Sequence, residues 1–195
     1  IFSKSDLTIN GTGKLIVNGM YNDGITSKDS LKIVSGTISI TSKDDALIGR
    51  DCLAVKDGKI TINAGGDGLK STNDTDTSKG YIDLSGGSFT ITAGSDAVQA
   101  ETSLLISSGS FTVITGGGSK AVSTSPWGNS SSSSNSAKGL KAAVITINGG
   151  SFNIDSADDA IHSNNTILIT KGTFNIASGD DGIHADTLLT IKGSD

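Results

Sequence analysis

Ile167-Leu168-Ile169-Thr170-Lys171-Gly172-Thr173-Phe174-Asn175-Ile176 runs directly into Ala177-Ser178-Gly179-Asp180-Asp181-Gly182-Ile183-His184-Ala185. In the first half apolar residues alternate with polar ones, the period-two pattern of short strands. Gly172 and the Gly179–Gly182 stretch punctuate it as corners. One period upstream, Ile145, Ile147, Gly150, Phe152, Ile154, Asp158, Asp159, Ala160, Ile161 and His162 match it position for position. The template returns as Ile82, Leu84, Gly87, Phe89, Ile91, Asp96, Ala97, Val98, and as Leu53, Val55, Gly58, Ile60, Ile62, Asp67, Gly68, Leu69. Earlier copies run from Leu31 to Leu47 and, more loosely, from Leu7 to Ile25.

The repeated glycines are Gly13, Gly36, Gly58, Gly87, Gly109, Gly150 and Gly172, spaced by 23, 22, 29, 22, 41 and 22 residues. A period of 22 residues with three short strands and tight corners predicts a solenoid. The fold class is therefore all-β: a parallel β-helix of roughly eight coils, right-handed by the default of parallel crossovers. Coils stacked at ~4.8 Å give a rod on the order of 40 Å long. The 195 residues form a single domain, 1–195. Two polar insertions leave the stack, near 73–79 and across 118–136. Phe89, Phe111, Phe152 and Phe174 share one template position, so they are expected inside the bore. Phe2, Tyr21, Tyr81 and Trp127 remain as candidates for exposed rings.

Composition agrees with this reading. The chain has 30 Ser, 21 Thr and 26 Gly, and Asp outnumbers Glu nineteen to one, which disfavours a helical bundle. Recurrent Ile, Leu and Val argue against disorder. No apolar run is long enough for a membrane span. A net charge of −5 argues against nucleic acid as partner. Cys52 is alone, so no internal disulfide forms and a reduced core thiol is expected. The sequence begins at Ile1 without a leader pattern and stops inside an apolar pattern. It reads as a mature or trimmed chain, whose last coil would present an open edge for end-to-end contact.

The acidic word repeats with the coils. Asp45, Asp67, Asp96, Asp159 and Asp181 share one column; Asp44, Gly66, Ser95, Asp158 and Asp180 share the one before it. Two carboxylates a coil apart repel by about 1 kcal/mol in bulk water and several-fold more near an effective dielectric of 20. Ca²⁺ accepts six to eight oxygens and would remove that cost. Calcium is thus expected at Asp158, Asp159, Asp180 and Asp181, and at Asp44, Asp45 and Asp67, with Asp96 in the same column. Asp186, Asn164 and Asn165 could complete a shell. Asp also suits corners on its own account, but that explains paired, stacked Asp poorly.

Between the acidic clusters the column changes sign at Lys138, or at Lys120 in another alignment. The flanking column reads Ile48, Lys70, Gln99, Lys141, His162, His184. Acids, lysines and histidines share one face: a solvated face of mixed charge, or a groove for an acidic sugar chain. His162 and His184 stack one coil apart. As a pair they are a weak transition-metal site, and a polar ladder or contacts to sugar hydroxyls fit them better.

Coils that end in Asp-Asp-Ala/Gly-Ile, with Gly-Ser/Thr-Phe-x-Ile between, resemble the carbohydrate-binding, polysaccharide-lyase-like right-handed β-helix proteins of cellulose-degrading anaerobic bacteria. The resemblance covers nearly the whole chain. It implies a secreted or cell-surface, calcium-containing protein that binds cellulose and polygalacturonate. Acidic pectin would be held through Ca²⁺, with Lys70, Gln99, Trp127, Lys138, Lys141, His162 and His184 as candidate sugar contacts. Cellulose would depend on Trp127, Tyr21, Tyr81 and hydroxyl-bearing ladders. Two alternatives compete. A Ca²⁺-dependent pectate lyase would use Lys70 or Arg50 as base. A structural or adhesive rod would use calcium only to hold coils together. A catalytic site is normally unique, whereas this acidic word recurs five times, which favours binding over catalysis.

Overall fold

The computed structural model describes residues 1–121 and 136–193. Trp127 and most of the second insertion lie outside the described residues. Every strand pairing among the described residues is parallel and joins one coil to the next, as in Leu15↔Ile38, Ile38↔Ile60, Ile60↔Phe89 and Phe89↔Phe111. The chain is a parallel β-helix.

Each coil supplies one long and two short strands. The long strands, from Lys14–Gly19 through Ser88–Ala93 to Thr173–Ser178, stack into a seven-stranded sheet. The short strands form two further ladders, which Leu140–Ile147 and Ile161–Ile169 fuse into one sheet by running through both. A register shift between Ala142 and Val144 marks the corner inside that continuous stretch. One short-strand ladder runs from Phe2–Ser3 to Ile183–Ala185, and the other from Leu7–Ile9 to Leu188–Ile191.

Period-two alternation sends one set of side chains into the bore. Ile38, Ile60, Phe89, Phe111 and Phe152 form a buried column, and the four Phe rings stack 4.7–4.8 Å apart within a few degrees of parallel. Dispersion and apolar burial hold this column. It weakens at both ends, where Leu15 and Phe174 are only partly buried. Cys52 is a buried free thiol, as expected.

The glycine column has a steric cause. Gly58 has φ +133°, and a Cβ there would sit 2.9 Å from the Gly36 carbonyl. Only glycine lets one corner lie this closely on the next. The first insertion is anchored by Asp51. Its carboxylate accepts from Asn73 Nδ2 at 2.7 Å and Lys79 Nζ at 2.8 Å.

Candidate functional site

The strand register resolves the charged column. Val98 pairs with Leu140, and Leu140 with Ile161, so Lys138 occupies the coil between Asp96 and Asp159. The Lys120 alignment is thereby excluded. Ile48, Lys70, Gln99, Lys141, His162 and His184 follow each other in one flanking column, as the sequence predicts.

Each column Asp divides its two oxygens. One accepts a backbone N–H from the next coil: Asp45 from Asp67, Asp67 from Asp96, Asp96 from Lys138, and Asp159 from Asp181, at 2.7–3.0 Å. The other faces a cationic or imidazole side chain. Lys70 Nζ sits between Asp45 Oδ2 (2.9 Å) and Asp67 Oδ2 (2.7 Å). Lys141 pairs with Asp96 at 3.1 Å. Lys138 pairs with Asp158 and lies 3.4 Å from Asp159. His162 Nδ1 lies 2.7 Å from Asp159 Oδ2, and His184 Nδ1 lies 3.0 Å from Asp181 Oδ2.

The repulsion that called for calcium is therefore answered in large part by the protein's own side chains. At Asp45 and Asp67 an ammonium already occupies the space between the carboxylates, and this pair does not offer a cation site. Asp44 is exposed, with Oδ1 beside Gly66, where a Cβ would collide with it. Among the described residues, acidic ligand atoms converge at Asp158, Asp159 and Asp180, within 4.8 Å of one another. This all-oxygen set suits a hard cation, which would compete there with Lys138.

Lys70 is also a poor base. Burial alone would lower its pKa, but hydrogen bonds to Asp67 and Asp45 outweigh burial and raise it well above the ordinary lysine value. A group held in its protonated form cannot take a proton near neutral pH. Arg50 is exposed and rests 3.9 Å from Asp51, away from the acidic column. Gln99 donates to Glu101 at 3.2 Å. Asn165 contributes its carbonyl to the ladder, accepting from the Thr187 N–H, while Asp186 Oδ1 lies 3.1 Å from His184 Nε2.

The sequence predicts hydroxyl-bearing ladders without placing them. The outer face of the seven-stranded sheet carries mostly short neutral polar side chains, with Lys14, Lys59 and Asp155 among them. Its middle row runs Ser39, Thr61, Thr90, Thr112, Asn153, Asn175 in register. All but Ser39 are exposed. Asn175 donates to Asn153 at 2.7 Å, which fixes both amides. Rows repeat every ~4.8 Å along the rod. Ile16 and Ile114 add exposed apolar patches to this face. Elsewhere Tyr21 is 90% exposed above an open cleft of about 360 Å³ that it lines with Asn22, Lys43 and Asp44.

A family profile described as carbohydrate-binding domain-containing protein matches residues 1–193. The chain belongs to the carbohydrate-binding domain-containing protein family. A relative of that description from Acetivibrio thermocellus is 45% identical over 40 residues, covering 20% of this chain and 14% of the relative. A solved structure, the polysaccharide lyase-like protein from C. thermocellum in a gadolinium derivative, superposes with a TM-score of 0.56 at 24% identity. That match covers 89% of this chain and 55% of the other, so this family member spans about half the length of its structural relative. The structural likeness establishes a polysaccharide-lyase-like fold. The family assignment establishes a carbohydrate-binding role.

Proposed function

We propose that this chain is an extracellular module that binds plant cell-wall polysaccharide, with a neutral glucan chain such as cellulose laid along the flat sheet. The observation that carries this reading is the exposed Ser/Thr/Asn lattice. Hydroxyl and amide groups both donate and accept, as sugar hydroxyls do. Their spacing repeats along the rod, so a linear polymer would meet the same contacts coil after coil. Individually weak contacts, many of them bridged by water, would add along the chain. Ile16, Ile114 and the Tyr21 ring offer apolar surface for sugar C–H faces.

A second reading is favoured by the Asp158–Asp159–Asp180 cluster. There Ca²⁺ would be held by three carboxylates and keep coordination positions for the carboxylates of polygalacturonate. The chain's own charge of −5 repels a polyuronate, so this polymer would need the bridging cation. Native electrophoresis through gels containing either hydroxyethylcellulose or polygalacturonate tests both. Retardation by the neutral polymer, unchanged by chelator, is the expected result. Retardation by polygalacturonate only with Ca²⁺ would support the second reading. Free migration in every gel would overturn both.

A further inference from the structure

We infer that His162 and His184, together with Asp159, form a binding site for a borderline divalent transition ion, of which Zn²⁺ and Cu²⁺ are the natural probes. The site stands apart from the sugar-binding reading and does not rest on it.

Ladder pairing puts the two imidazoles on successive coils in direct register. Their ring centroids are 5.0 Å apart and the planes are tilted by 34°. Ligand atoms of Asp159, His162 and His184 all lie within 4.8 Å of one another. Two imidazoles and one carboxylate are a donor set for first-row transition metals rather than for Ca²⁺.

The rest of the column shows why this end differs. Lys70 and Lys141 bring a fixed positive charge to Asp45, Asp67 and Asp96. At the last two coils the same position holds imidazoles, whose ring nitrogens can ligate a transition metal. Asp159 Oδ2 lies 2.7 Å from His162 Nδ1, so one ion can be shared between these two atoms. On the next coil Asp181, 3.0 Å from His184 Nδ1, orients the second ring.

His184 is held between two further carboxylates. Its Nε2 lies 3.1 Å from Asp186 Oδ1 while its Nδ1 lies 3.0 Å from Asp181 Oδ2. With its side chain 39% exposed, His184 leaves the site open to solvent, so water can complete the coordination shell.

The test is calorimetric titration of the chelator-treated chain with Zn²⁺, together with electron paramagnetic resonance of the Cu²⁺ complex. One ion per chain is expected, and the copper spectrum should show coupling to two nitrogens. His184→Gln should weaken binding at least tenfold. Asp181→Asn, acting through His184, should weaken it about tenfold to a hundredfold. Millimolar Ca²⁺ should not displace the ion. Binding that is unchanged in both His162→Gln and His184→Gln, or a copper spectrum without nitrogen coupling, would overturn the site. The spectrum of the unaltered chain decides the matter even where a variant fails to fold.

Discussion

Lys70 ties two successive coils of the ladder together, touching Asp45 from one and Asp67 from its own. Removing it strands two carboxylates that are 7% and 5% exposed. Breaking a fully buried pair costs about 3–5 kcal/mol. Lys70 itself is a quarter exposed, so screening reduces the expected loss for Lys70→Ala to about 1–3 kcal/mol. Urea unfolding measures it, and Asp67→Asn in the same background should restore part of the loss. A second prediction concerns Asp51. Hydrogen bonds from Lys79 and Asn73 lower its pKa below the ordinary 3.8. Its stabilising contribution is therefore complete above about pH 3.8 and disappears as pH falls through the lower folded value. Proteolysis with an acid-active protease should begin to cut the 73–79 loop only below that pH. Cleavage there at neutral pH would contradict the anchoring role.

Within the coils, the inner and outer faces were not equally readable from sequence. The bore was legible because its pattern has two periods at once: every second residue along a strand, and every twenty-second along the chain. The Phe column followed from that alone, and Phe111→Ala is expected to cost about 3–5 kcal/mol. The same change at Phe174, which is partly exposed at the end of the stack, should cost clearly less by the same denaturation measurement. The neutral lattice was foreseen only as hydroxyl-bearing ladders without positions, because Thr in a strand already has a reason to be there, its β-propensity. The ladder chemistry was half visible. Asp67–Lys70, Asp159–His162 and Asp181–His184 stand three residues apart in the sequence. Their partners across coils need the stacking as well: Asp45–Lys70 spans one plain period, and Asp96–Lys141 appears only when the second insertion is threaded correctly. The need to neutralise stacked Asp was therefore legible, but the agent that meets most of it was not.

As a whole the molecule is a one-dimensional stack, in which each coil contacts its neighbours alone. Its middle coils have buried columns on both sides, while Leu15, Val17, Phe174 and Ile176 are only partly covered at the ends. Amide exchange should accordingly be slowest from Lys59 to Thr115 and fastest in the strand Thr173–Ser178. Uniform protection along the rod would contradict this picture of stability. The same stacking builds the long repeating outer face, which no single coil could supply.

The most direct test of the carbohydrate-binding account replaces the lattice without touching the bore. Thr61, Thr90 and Thr112 are exposed and in register, so the triple variant to Ala removes their hydroxyls without stacking like charges and should fold normally by circular dichroism. Co-sedimentation with microcrystalline cellulose is the measurement. The account predicts that the unaltered chain sediments with the polymer and the triple variant stays in solution. Equal sedimentation of both proteins, or of neither, would contradict it.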